Sequence, residues 1–204
     1  MTEFEKRIVL IAVIQALLNF AVIVVAVWGE PIRQFFDRPK LRISLTEPAL
    51  DETEPGIQGW FYFVQVTSDK PSSPAKNVRL LLTHVYKKGP DGSWQEEKFS
   101  GPLQAVWWDS QSSPQYKIIG PDELSAFGVL DEKSNFFELQ LHSYKNNFKR
   151  EILKNEPTRL EFKAVSDAAE SKSLTIEVAW GGMWVEGSAE MRNHCIVKEI
   201  VNNK

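Results

Sequence analysis

Histidine and cysteine carry much of the nucleophilic and metal-binding chemistry of proteins, and this chain of 204 residues has few of them: three histidines and one cysteine. His84 and His142 sit in strand-like runs, and His194 adjoins Cys195 just before the last such run. A zinc site draws roughly three or four ligands from converging positions, so one His-Cys pair without a second pair falls short. A Cys195–His nucleophile pair has the right atoms. The thiol, however, opens the apolar run Cys195-Ile196-Val197, where cysteine usually behaves as a small buried hydrophobe. No Gly-x-Ser-x-Gly elbow, phosphate loop or His-Glu-x-x-His is present. Asp51, Glu52 and Glu54 share one loop and Asp131 and Glu132 another, but neither follows the calcium-loop pattern. The residues predict no catalytic, metal or cofactor site, and the chain reads as a non-enzyme.

Aromatic residues give a better lead, with Trp94, Trp107, Trp108, Trp180 and Trp184 all lying beyond residue 41. Adjacent Trp107 and Trp108 in a strand point to opposite faces. One can fill a core, leaving the other exposed, covered by a neighbouring element or part of an interface. In Trp180-Gly181-Gly182-Met183-Trp184 the two glycines make a turn that can present an aromatic tip. Trp107, Trp108, Met183 and Trp184 are therefore the candidate partner-binding residues. The alternative is that these tryptophans cap the ends of a core.

Elements that would position them are read from period-two alternation, which puts one strand face in a core and the other in water. The alternation is clean over Arg159–Val165 and Ser173–Trp180. It is weaker over Leu41–Leu45, Gly59–Thr67, Asn77–Lys87, Trp94–Phe99, Leu103–Trp108, Gln115–Ile119, Phe136–His142 and His194–Val201. Connections rich in Gly, Pro, Asp and Ser separate these runs: Asp51–Gly56, Ser68–Pro74, Lys88–Ser93 and Gly120–Glu123. Short helical turns are expected at Ser188–Asn193 and around Tyr144–Leu153. No apolar pattern of helical period recurs between the strands, which disfavours parallel βαβ units. The fold class is mainly β, an antiparallel sandwich over residues 41–204. That segment holds 19 basic and 23 acidic residues, a net charge of −4 without a block of either sign, so it carries no nucleic-acid footprint.

The segment SSPAKNVRLLL, followed by YKIIGPDEL, resembles immunoglobulin-like β-sandwich modules in which an Ala-x-Asn-Val strand follows a loop and a Gly-Pro turn ends another strand. The likeness runs from Leu41 to about Leu141. An N-terminal span, this sandwich and the closing stretch LTIEVAWGGMWVEGSAEMRNHCIVKEI together resemble uncharacterised bacterial membrane-anchored proteins. The resemblance implies an immunoglobulin-like fold and a membrane context, and it implies no activity and no functional residues.

The span is Ile8–Trp28, free of formal charge. As a helix its roughly 21 residues cover about 31 Å, close to a hydrocarbon core of about 30 Å. A cleaved secretory signal is the competing reading, but its apolar region is shorter, about 7 to 15 residues. A buried soluble helix would need a core on every side. Lys6 and Arg7 precede the span, while Arg33, Arg38, Lys40 and Arg42 follow it. This bias places the C-terminal domain in the cytoplasm, and a lone cysteine agrees with a reducing compartment.

Within the span, Ala12, Gln15, Ala16 and Asn19 share one helical face. Small residues let helices approach and amides hydrogen-bond between them, so this face is a candidate for homo-oligomer formation or docking on another membrane helix. The alternative is that the two amides are merely tolerated. Residues 29–40 follow as a juxtamembrane linker. There Ile32, Phe35 and Phe36, with Trp28, Arg33, Arg38 and Lys40, suit the aromatic and basic belt that meets membrane lipid. Alternatively, the phenylalanines pack on the domain.

The organisation expected from sequence is a tail over 1–7, a transmembrane helix over 8–28, the linker over 29–40 and a sandwich over 41–204. The expected function is a single-pass, membrane-anchored module that binds or scaffolds a protein partner without catalysis. An exported, tethered module that binds a sugar or other envelope ligand through exposed tryptophans is the alternative.

Overall fold

The computed structural model describes residues 2–36, 39–69, 75–108, 117–119, 122–142 and 148–200. At 117–119, at Asp122 and at part of the N-terminal helix, including 27, 28 and 30–36, it describes the backbone only. Two compact units are present, 1–38 and 39–204.

The first unit is the helix α1, Glu3–Phe36. Leu10, Ile11, Val13, Ile14, Leu17 and Leu18 are all exposed along it, so its apolar side chains point in every direction rather than forming one stripe. Its longest unbroken run of described side chains is 10–20, which rises roughly 16 Å. Among the described residues, no helix is long and apolar enough to cross a membrane.

The second unit is built from strands. Its first sheet has the order β1-β3-β9-β10-β11, with β2 also pairing β3 and β7 pairing β9. These are β1 (Leu41–Leu45), β2 (Ala49–Glu54), β3 (Ile57–Ser68), β7 (Val106–Trp107), β9 (Asp122–Asp131), β10 (Phe136–Leu139) and β11 (Glu151–Leu153). The second sheet has the order β14-β13-β12-β4-β5, with β6 and β8 also pairing β4. These are β4 (Ala75–Lys88), β5 (Trp94–Glu96), β6 (Leu103–Gln104), β8 (Lys117–Ile119), β12 (Thr158–Val165), β13 (Leu174–Trp180) and β14 (Cys195–Ile200). A short helix, α2 (Ser188–His194), precedes β14 where a helical turn was expected.

Every strand pairing between these elements is antiparallel. Trp60, Tyr62, Val64 and Val66 of the first sheet share one core cluster with Leu80, Leu82, Leu160 and Phe162 of the second. The alternation in β12 and β13 does what the sequence predicts, burying every second side chain. The loop Lys88–Ser93 is a hairpin: Lys88 pairs with Trp94, Gly92 has φ of 80°, and the Asp91 carboxylate accepts the Ser93 amide at 3.0 Å.

Three local expectations are corrected. Asp51–Glu54 is strand rather than loop, because the connection contracts to Pro55-Gly56, where Gly56 at φ 78° supplies the turn. The helical turn expected around Tyr144–Leu153 is absent at Glu151–Leu153, which pairs with β10; 143–147 lie outside the described residues. Leu103–Trp108 is not one strand. Leu103 pairs with Leu82 in the second sheet, and Val106 pairs with Ala126 in the first, so the chain changes sheets at Ala105.

Strand β9 lies between β3 and β10. Its pairing with β3 shifts between Tyr62 and Phe63, which leaves Phe127 as an extra residue. This bulge turns both Phe127 and Gly128 to the core, because Ala126 lies opposite the outward Phe63 and Gly128 opposite the inward Tyr62.

On the outward side of the second sheet, charges are matched across strands. Glu177 accepts from Arg159 at 2.9 Å and from Lys198 at 3.1 Å, while Arg159 lies 4.0 Å over the Trp94 ring. Burial works to raise the Glu177 carboxyl, but hydrogen bonds from Lys198 and Arg159 outweigh it and hold the group below its ordinary value. A depressed folded value adds stability above the unfolded value, and that stability is lost as pH falls through the folded one. Glu177→Gln is therefore expected to cost about 1 kcal/mol at neutral pH. It should also flatten the loss of stability as pH falls through and below the ordinary carboxylate range, read by urea unfolding at each pH. An acid limb as steep as the parent's would refute this assignment.

Candidate functional site

Adjacent Trp107 and Trp108 separate as strand geometry requires. Trp107 is 1% exposed and fills the core, so it has no surface to offer a partner, and its place among the partner-binding candidates is corrected. Trp108 remains 37% exposed on the outward side of the first sheet. Its ring leans on Phe61 at 4.7 Å between centroids and meets Phe63 edge-on at 4.9 Å.

The Trp180–Trp184 segment folds back onto the end of the core instead of standing out as an aromatic tip. Trp180 donates its indole N–H to the Asn135 carbonyl at 3.2 Å, and Trp184 donates to the Leu130 carbonyl at 3.2 Å. Trp60 in turn donates to the Val185 carbonyl at 2.9 Å. Met183 stays exposed. The four candidates thus divide between the core, the outward side of a sheet and an end of the domain.

Beside Trp108, register alone assembles an outward row that sequence reasoning missed. Phe61 lies opposite Val129, which lies opposite Glu138, which lies opposite Glu151; the next outward pair is Phe136 and Leu153. A groove of about 660 Å³ runs over this face, with Phe61, Val129, Ile57 and Phe136 among its lining residues. Thr53 and Glu54 line it from the β2 hairpin, and Glu138 and Gln140 from the β10 side. Thr53 is the extra residue of a bulge in β2, and its methyl lies over Gly59, where an added Cβ would stand 2.4 Å from it. Phe61 belongs to both the groove and the Trp108 cluster, so the two form one aromatic surface. Asp131 also lines the groove, and its carboxylate accepts the amides of Lys133 at 2.8 Å and Ser134 at 2.7 Å, fixing the turn that forms one wall.

The chain matches no family model, no curated protein and no solved structure.

A smaller cleft of about 530 Å³ opens beside β14, lined by Leu45, Tyr62, Arg192, Cys195 and Ile196 among others. Glu47 and Arg192 form an ion pair there. Burial pushes the Cys195 thiol up to about 11, and the hydrogen bond it makes is with Tyr62. A protonated, 2% exposed thiol is not a nucleophile poised for attack. The histidines lie apart on separate elements: His84 in β4, His142 beyond β10 and His194 at the end of α2. His84 stands 3.6 Å from Glu161 and 3.8 Å from Glu96, whereas burial lowers His142. Among the described residues, no group of three or more His, Cys, Asp or Glu could hold a metal ion.

The face formed by Ala12, Gln15, Ala16 and Asn19 is exposed on α1. Of the interface residues expected from sequence, Lys40 is exposed and its amide donates to the Asp69 carboxylate at 2.8 Å. The side chains of Trp28, Ile32, Arg33, Phe35 and Phe36, and all of Arg38, lie outside the described residues.

Proposed function

We propose that this chain is a noncatalytic protein-interaction or scaffolding module, held at a membrane by its N-terminal helix as a single-pass anchor. The β-domain is an immunoglobulin-like sandwich on the cytoplasmic side, and the outward face of its first sheet is the binding surface. The observation that carries this reading is the contrast between the two outward faces. On the second sheet, Arg159, Lys198 and Glu177 answer one another across strands. On the first, a groove floored by Phe61, Val129 and Phe136 lies open beside the partly exposed Trp108. Apolar surface left in a groove with a polar rim is characteristic of interaction sites.

Anchoring is supported by the uncharged run Ile8–Trp28 and by exposed apolar side chains around α1. Orientation is supported by the four basic residues that follow the run against the two that precede it. Ala12, Gln15, Ala16 and Asn19 supply the helix-association face. A photo-crosslinking residue at Phe136 or Trp108 of the full chain in its native membrane is expected to give polypeptide adducts. The same residue at Thr175, on the outward face of the second sheet, should give none. Equal yields at all three positions, or no adduct from Phe136 and Trp108, would overturn the reading. Oligosaccharide adducts at Phe136 would instead favour an exported module for an envelope sugar, a reading that Gln140 and Asn135 beside the aromatic floor also suit.

A further inference from the structure

The groove is charged unequally around its apolar floor. Among the described residues that line it, Glu54, Asp131 and Glu138 face the single cation Lys133. Register adds Asp51, opposite Gly59 on the outward side, and Glu151, opposite Glu138. Arg150 lies 2.7 Å from Glu138 and offsets one of these charges. Among the described residues, five carboxylates therefore surround the apolar row against two cations.

Glu138 and Glu151 stand directly opposite each other, and like charges paired across strands work against the sheet. Outward Glu177, by contrast, is flanked by Arg159 and Lys198 on both neighbouring strands. Excess charge of one sign beside an apolar groove attracts and orients a partner of the other sign. Its low-dielectric walls strengthen that field.

We propose that the groove takes a basic segment of a partner polypeptide. Aromatic or branched apolar side chains of the segment would lie on Phe61, Val129 and Phe136, and its lysines or arginines would reach Glu54, Glu138 and Glu151. This rests on the outward face of the first sheet being the interaction surface, and it adds the chemistry of the partner. Arginine suits the role because its planar donors match a carboxylate in pairs. Trp108, adjoining the groove through Phe61, offers an aromatic face to a cation or to a further apolar anchor.

The test uses the full chain in mild detergent and three fluorescent synthetic decapeptides. One alternates phenylalanine and leucine with arginine and lysine, the second replaces its cations by glutamate, and the third replaces its apolar residues by serine. The first is expected to bind at least tenfold more tightly than either of the others, and less tightly as salt is raised. Glu138→Lys should weaken it about tenfold. Because that variant also faces Arg150, the exposed Glu54→Lys is the second arm and should act in the same direction without changing the unfolding midpoint. Thr175→Lys, on the other sheet, should leave binding unchanged. Tighter binding of the glutamate peptide, still lost in Trp108→Ala, would overturn the basic-partner inference while keeping the interaction surface. Binding that ignores Trp108→Ala and both charge reversals would overturn the two together.

Discussion

Trp107→Ala is expected to destabilise the β-domain by about 3–5 kcal/mol, the cost of emptying a large buried aromatic site, whereas Trp108→Ala should change stability by less than about 1 kcal/mol. The two residues are neighbours in sequence, so the comparison isolates the side of the sheet from everything else. Trp107 lies on the inward side of β7, opposite Ser125, whose hydroxyl is tied to the Val106 carbonyl at 2.8 Å. Its loss leaves a void bounded by both sheets. Trp108 touches Phe61 and Phe63 from outside, and the rings beneath it can be partly rehydrated. The functional consequence runs the other way: Trp108→Ala should abolish crosslinking from the groove at near-parental stability. Chemical denaturation alongside crosslinking reads both quantities. A Trp108→Ala protein as unstable as Trp107→Ala would make Trp108 a core residue and remove its place in the interaction surface.

Gly128→Ala is expected to cost about 3 kcal/mol, at the upper end of ordinary overpacking. A Cβ there would stand 2.2 Å from two ring atoms of Phe137, closer than nonbonded carbons approach. The ring has nowhere to retreat: it is fully buried, with Tyr62 at 5.1 Å and Phe127 at 6.1 Å between centroids. Phe137→Leu in the same chain should recover part of the loss, because a smaller side chain vacates the space the methyl needs. A double-mutant cycle measures this directly. Strict additivity, or a neutral Gly128→Ala, would show that the backbone of β9 moves aside and that the contact is not a constraint.

Strands buried on one side were legible in the sequence, and strands buried on both were not. Leu160, Phe162 and Ala164 alternate with charged neighbours because β12 keeps one face in water. In β9, Ser125 through Leu130 are all buried, since β3 and β10 flank it, the core covers one side and the Trp108 cluster much of the other. Alternation cannot survive there, and the bulge at Phe127 would have broken its phase in any case. The same limit hid the groove. Trp60-Phe61-Tyr62-Phe63 is apolar throughout, and nothing in the string separates the inward pair from the outward one. A usable signal was present in Phe136-Phe137, two adjacent aromatics that, like Trp107 and Trp108, must divide between faces. The acidic rim was visible only as two separate loops, because the register that joins them to Glu138 and Glu151 is a property of strand pairing.

The exchange of sheets at Ala105 has a consequence for how the domain comes apart. Within a few residues the chain is hydrogen-bonded first to Leu82 and then to Ala126, and the Ala105 amide itself donates to Leu80 at 2.9 Å. Neither layer can peel away without breaking the ladder of the other at this stitch. Slow-exchanging amides on β4 and on β9 should therefore share one opening free energy, and a force that pulls the layers apart would meet a single yield point.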